Sequence, residues 1–137
     1  MSTNSTIEYY KSRWHSTLDK LKEYRSKTLR KSSTEKRYQM YLKHNYNGEC
    51  VLCNNKTVKE YKLWKEVKND YPYDKVFKEQ TLLTTKRHIA KINELTLNEI
   101  AELHNIMQLN NYDMLVYNSI KKQSQKQHFH FHLGKLK

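Results

Sequence analysis

Apolar and aromatic residues recur three or four positions apart at Ile7, Tyr10, Trp14, Leu18 and Leu21. This spacing places them on one face of a helix between about Thr6 and Arg30. The intervening positions are largely Lys, Arg, Glu and Ser. Residues 1–6 are polar and are expected to be disordered. Lys31-Ser32-Ser33-Thr34 breaks the helical pattern, and Thr34-Glu35 can cap a second helix carrying Tyr38, Tyr41 and Leu42. Asn45-Tyr46-Asn47-Gly48 reads as a turn by composition. A boundary placed there divides a basic helical N-terminal extension, 1–48, from a second unit, 49–137.

The pattern changes in the second unit. Glu60 to Val67 fits neither the helical nor the strand period well. Tyr71-Pro72-Tyr73-Asp74 holds the only proline of the chain and predicts a loop. Strands are predicted at about 75–78 and 80–85. Thr96 and Glu99 form a capping box, followed by a helical stripe of Leu97, Ile100, Leu103 and Met107. Asn110-Asn111 ends that helix. Residues 114–117 read as a strand, 118–125 as a polar loop, and 126–133 as a last strand.

That last strand carries His128, His130 and His132 at a period of two, so all three imidazoles lie on one face. Phe129 and Phe131 point the other way, toward whatever the strand packs on. Three adjacent imidazoles are poor core filler and costly if buried without partners. Such a row does chemistry, either as metal ligands or as a nucleophile with its supporting groups.

Composition narrows the setting. The 137 residues suffice for one domain with an appended element, and 26 Lys and Arg against 14 Asp and Glu leave a net charge of +12. That excess attracts polyanions such as nucleotides, nucleic acid or anionic surfaces; a Lys-, Asn- and Tyr-rich coding bias is the plain alternative. Cys50 and Cys53, three positions apart, are poorly placed for a disulfide and well placed to share one tetrahedral Zn²⁺. Two ordinary buried thiols or a redox pair are the other readings. No signal peptide is visible, and no apolar run approaches about 18 residues. The expectation is a soluble, intracellular protein, cytoplasmic or nuclear, without a membrane partner.

The run His128-Phe129-His130-Phe131-His132-Leu133-Gly134 resembles the His-φ-His-φ-His-φ-φ motif (φ apolar) of the histidine triad (HIT) family, departing only at Gly134. Three further stretches resemble the same family in the same order. These are Cys50-Val51-Leu52-Cys53, Gln80 to Ile89 with Lys86-Arg87-His88, and Glu94-Leu95-Thr96-Leu97-Asn98-Glu99. The resemblance covers about residues 49–134. It implies an α+β fold, a HIT-like antiparallel sheet with a packed helix, preceded here by the helical extension. It also implies a nucleotidyl hydrolase or transferase acting on a nucleoside phosphate conjugate: a phosphoramidate, a dinucleoside polyphosphate or a capped end.

Carried over residue by residue, the resemblance makes His130 the nucleophile that forms a covalent nucleotidyl-histidine, with His132 beside it on a phosphate oxygen. Zinc-bearing members, and galactose-1-phosphate uridylyltransferase-like proteins, imply His88 and His128 as partners of Cys50 and Cys53 around a structural Zn²⁺. Asn118, Ser124 and Gln125 match phosphate-loop positions, and Asp74 matches an acidic ribose contact. A rival reading makes His128, His130 and His132 themselves the metal site.

The departures are specific. Thr85 replaces the usual proline, and Gln80 stands where many nucleotide-hydrolysing relatives have a histidine. Lys121, Lys122 and Lys126 occupy a loop usually rich in glycine. The alternative function is a nucleic-acid-binding protein that uses the HIT-like fold as a platform through its basic surface. Homodimerisation is compatible with either reading. The amphipathic N-terminal helix would pack on the domain, pair with a partner or lie on nucleic acid.

Overall fold

A computed structural model describes residues 3–25, 27–44, 49–109, 111–119 and 128–137. The chain begins with α1 (Thr3–Arg25) and α2 (Ser32–His44), followed by a single turn, α3 (Val51–Asn54). Then come β1 (Thr57–Glu60), β2 (Trp64–Lys68), β3 (Phe77–Thr85), α4 (Leu97–Met107), β4 (Met114–Val116) and β5 (His130–Leu136). The strands form one sheet in the order β1-β2-β3-β5-β4, with every pairing antiparallel. The architecture is α+β.

The histidine strand lies inside the sheet, between β3 and β4, with Thr84 opposite His130 and Leu82 opposite His132. One face of the sheet packs Trp64, Leu83, Phe129, Phe131 and Leu133 with Ile89 and with Ile106 of α4. Trp64 also donates from Nε1 to the Glu99 carbonyl of α4 at 2.8 Å, so the core ring has its polar edge satisfied. The other face carries the imidazoles, with Leu52, Val67 and Leu82 in a smaller apolar cluster. Phe129 and Phe131 thus face the core, as the period of two predicts.

Several elements differ from their sequence-based expectation. The ambiguous stretch from Glu60 to Val67 is the turn and second strand of a hairpin, β1–β2. Trp64 and Val67 are both fully buried on opposite faces, which erases the alternation that marks a half-exposed strand. The two short strands expected at 75–78 and 80–85 are one strand, β3, with an irregularity between Phe77 and Glu79. The final strand begins later than expected, at His130.

In α4 the Thr96–Glu99 capping box forms as predicted. The predicted stripe is rotated, however: Leu97 is 84% exposed, and the buried residues are Glu99 and Ile106. Glu99 is held inside by Arg87, 2.7 Å from its Oε1. Arg87 and the capping hydrogen bonds keep its carboxyl below the usual range against the opposing effect of burial.

The first helix starts at Thr3, so part of the polar N-terminus expected to be disordered is helical. Ile7, Tyr10 and Trp14 on α1 are exposed. The Leu21 side chain and the turn at 45–48 lie outside the described residues. Residues 28–41 are joined to the sheet unit by long-range bonds: Arg30 Nε to the Tyr71 carbonyl (2.7 Å), Lys31 N to Asp74 Oδ1 (2.8 Å) and Lys75 N to the Leu29 carbonyl (3.1 Å). No described helix is long and apolar enough to cross a membrane.

Candidate functional site

Two adjoining constellations lie on the imidazole face. In the first, Cys50, Cys53, His88 and His128 bring one ligand atom each to within 4.8 Å of one another. Cys50 Sγ and Cys53 Sγ each lie 3.3 Å from His128 Nδ1, and Cys53 Sγ lies 3.2 Å from His88 Nδ1. The single turn α3 makes this possible. It folds the Cys-x-x-Cys segment so that Cys53 N–H donates to Cys50 Sγ, turning both sulfurs the same way. The Cys50–Cys53 turn, His88 and His128 are far apart in the chain, so the fold itself assembles the cluster.

His128 is oriented from behind, its Nε2 lying 2.9 Å from the Thr85 carbonyl. A carbonyl only accepts, so the proton sits on Nε2 and the Nδ1 lone pair faces the sulfurs. Burial, with His88 and Lys65 nearby, pushes His128 down to about 4, so the ring is neutral at neutral pH. Burial, together with Cys50, raises the Cys53 thiol, while Lys65 works the other way. Two sulfurs and two imidazole nitrogens converging in this way could hold a metal ion.

The second constellation is His130 with His132. His130 is 4% exposed, and its Nδ1 lies 2.9 Å from the His128 carbonyl. That bond places the proton on Nδ1 and leaves the Nε2 lone pair available. Burial holds the ring below its ordinary pKa, so it is neutral. His132 lies flat against Tyr73, with ring centroids 4.6 Å apart and planes 20° apart. Its Nδ1 accepts from Gln80 Nε2 at 2.8 Å, and its Nε2 lies 3.3 Å from Asn118 Nδ2 and 3.5 Å from Tyr73 Oη. Burial, with His130 and Arg30 nearby, pushes His132 down to about 3.

His130 and His132 open into a cleft of about 100 Å³. Val51, Leu52 and Leu82 are its apolar lining, Tyr38, Tyr41 and Tyr71 its aromatic one, and Asn55, Asn69 and Asp70 its polar one, with Arg30 also present. The structure therefore brings His130, His132 and Asn118 together beside the Cys50, Cys53, His88 and His128 cluster. Asp74 is engaged elsewhere. Its carboxylate accepts from Lys31 N at 2.8 Å and from Thr34 Oγ1 at 2.5 Å, which ties down the start of α2. Burial works to raise its pKa, but those hydrogen bonds prevail and hold it below the usual range. Ser124 and Gln125, with Lys121, Lys122 and Lys126, lie outside the described residues.

Sequence reasoning did not single out Arg30, Tyr41 or Tyr71 for the cleft, or Tyr73 for the stack on His132. The loop Tyr71-Pro72-Tyr73 was the available signal, two aromatics flanking the only proline. Nothing local marks Arg30, whose partner Tyr71 is 41 positions away.

No family model matches the chain, and no curated protein matches it. Among solved structures it is similar to a uridylyltransferase and to a mutant of uridylyltransferase, each at 23% identity over 77% of this chain with a TM-score of 0.44. The aligned part covers 40% and 42% of those chains, so this chain spans about two-fifths of their length.

Proposed function

We propose that this protein is a nucleotidyl hydrolase or transferase of the histidine triad type, acting on a nucleoside phosphate conjugate through a covalent intermediate on His130. The observation that carries the reading is the His130 Nδ1 to His128 carbonyl distance of 2.9 Å beside the cleft. It fixes the tautomer that presents Nε2 as a neutral nucleophile, the form able to attack phosphorus.

In the first step the Nε2 lone pair forms a bond to the α-phosphorus. The phosphorus–oxygen or phosphorus–nitrogen bond to the leaving group breaks, and the leaving group keeps that electron pair and takes a proton from solvent. The Nδ1–H bond to His128 steadies the imidazolium formed on His130. In the second step a water oxygen, or an acceptor hydroxyl, bonds to phosphorus and loses its proton, and the phosphorus–nitrogen bond returns its electrons to Nε2. His132, clamped by Gln80 and Tyr73, stands beside the phosphate oxygens, and Asn118 adds an amide donor there. Fixed donors around a developing charge are the main electrostatic contribution in such transfers.

The metal in this reading is a structural Zn²⁺. Two thiolate and two imidazole donors are the set that ion takes in closed tetrahedral sites, and the Thr85 carbonyl supplies the outer hydrogen bond that ligating histidines usually have. Its role is to fix residues 50–53 against the start of the histidine strand. Ser124 and Gln125 remain proposed phosphate contacts.

The test is intact-protein mass spectrometry at short times after mixing with adenosine or guanosine phosphoramidates. A transient nucleotidyl adduct that disappears in His130→Ala, with nucleotide released, is the expected result. No adduct and no release across several bases and leaving groups would overturn the reading.

The exposed Tyr10 and Trp14 of α1, together with the net charge of +12, favour a second reading as a nucleic-acid-binding protein. Phosphate attraction and ring stacking are its physical basis. Under it, His130→Ala leaves salt-sensitive binding to single-stranded nucleic acid intact.

A further inference from the structure

Arg30 reaches the cleft from the segment between α1 and α2, outside the sheet. Its guanidinium carbon lies 4.1 Å from the centroid of the Tyr38 ring and 4.9 Å from that of Tyr73. Tyr73 is in turn stacked on His132 at 4.6 Å. A ladder therefore runs from α2 to the histidine strand: Tyr38, Arg30, Tyr73, His132. Nε is fixed on the Tyr71 carbonyl at 2.7 Å, and the Arg30 side chain is only 12% exposed.

Its charge is poorly answered. Among the described residues its ion-pair partner is Glu35, at 3.4 Å from Nη1, and Glu35 also accepts from Thr28 and Gln39. Among the described residues, Nη2 has no hydrogen-bond partner. A weakly hydrated, permanently charged, stacked guanidinium is the cation best suited to a half-buried phosphate contact.

The rest of that wall suits a flat ring. Tyr41 of α2 and Tyr71 face one another with centroids 5.4 Å apart and planes 33° apart. Val51, Leu52 and Leu82 give the cleft an apolar lining, and Asn55, Asn69 and Asp70 add hydrogen-bonding groups. At about 100 Å³ the cleft is smaller than a site that encloses a whole drug-sized ligand. It has room for one ring system, with the remainder of a ligand leading toward His130.

We propose that Arg30 and Tyr41, outside the sheet, supply the recognition wall of this site: Arg30 binds the phosphate of a nucleoside monophosphate unit, and Tyr41 with Tyr71 holds its base. The choice of ligand rests on the nucleotidyl-transfer reading above. On this proposal Asp70, which lines the cleft, is the carboxylate nearest the sugar, in place of Asp74, which is spent on α2.

The experiment is calorimetric binding of the full chain to the four common nucleoside monophosphates and to the matching nucleosides. Wild type should bind at least one monophosphate about tenfold or more tighter than its nucleoside, a gap of about 1.4 kcal/mol. Arg30→Gln should close that gap, and Arg30→Lys should restore only part of it because lysine loses the stacking. Tyr41→Ala should weaken monophosphate and nucleoside alike.

Equal binding of monophosphate and nucleoside by wild type overturns the proposal, as does a gap that persists in folded Arg30→Gln. If Arg30→Gln does not fold, Tyr41→Ala decides, and unchanged affinity in that variant overturns the proposal. The two readings fail separately. An Arg30-dependent binding gap without any His130 adduct sinks the enzyme and keeps the wall. An adduct formed with unaltered efficiency in Arg30→Gln sinks the wall and keeps the enzyme.

Discussion

Gln80 Nε2 donates to His132 Nδ1 at 2.8 Å while Gln80 Oε1 accepts from the backbone N–H of Tyr73. One amide thus assigns the tautomer of the neighbouring histidine: because Nδ1 accepts, the His132 proton sits on Nε2. Gln80 occupies the position at which the family resemblance leads one to look for a leaving-group histidine. In this chain it is a clamp on the second imidazole of the site.

Exchange of that amide should therefore be visible in a spectrum. Gln80→Glu keeps an acceptor for Tyr73 N–H and loses the donor to His132. The His132 proton should move to Nδ1, seen as an exchange of the two ring ¹⁵N shifts. Turnover of a phosphoramidate should fall by about tenfold, the scale of one lost orienting hydrogen bond. An unmoved His132 tautomer would contradict the assignment.

Acid should weaken the fold through His132. The folded ring titrates at about 3, and an unfolded histidine near 6.5. Its surroundings are Tyr73, Gln80, Asn118 and His130, with the Arg30 cation close by, and none of them is a carboxylate. Between the two pKa values the unfolded chain binds a proton that the folded chain refuses. The stabilising contribution is thus complete above about pH 6.5 and shrinks by about 1.4 kcal/mol per pH unit on the way down. His128 and His130, also held below the ordinary histidine value, add to the slope in the same direction. Urea unfolding at about pH 7 and about pH 5.5 should show a loss at least that large, and His132→Asn should reduce it by the share of one proton.

Metal content offers a third check. Purified protein should carry about one equivalent of zinc by elemental analysis, and Cys50→Ser or Cys53→Ser should lose it. A strong chelator should lower the melting temperature of wild type and leave that of the serine variants unchanged. Full zinc occupancy in Cys53→Ser would remove Cys53 from the ligand set.

Gly134 tests packing on the imidazole face. A methyl group added there would overlap the Phe77 ring. Gly134→Ala should cost about 1–3 kcal/mol, the usual penalty for overpacking. The double variant with Phe77→Leu should recover part of that loss, which would establish that the two positions are coupled.

The departure at Gly134 also shows how the sequence is to be read. The histidine motif ends on glycine because Phe77, contributed by a different strand, fills the space above it. Features encoded within a few residues were legible: the Thr96–Glu99 box, the two-residue period of the histidines and the Cys-x-x-Cys turn. Features that depend on distant partners were not. β2 loses its alternation because both of its faces are covered, and the α4 stripe is displaced because Arg87 draws Glu99 inside. Asp74 is expected to contact a ribose, yet its carboxylate is used by Lys31 and Thr34, some 40 residues earlier.

The separation of Cys50 from His128 has a consequence for how the chain reaches this state. The two lie 78 positions apart, yet their side chains are 3.3 Å from one another. A metal shared by them would close a loop containing more than half of the protein, a constraint felt most strongly by the unfolded ensemble. Val51 and Leu52, between the two cysteines, line the cleft beside His130. The same crosslink would therefore set the shape of the proposed ligand site, and metal supply during folding would then govern how much of the protein becomes competent to bind.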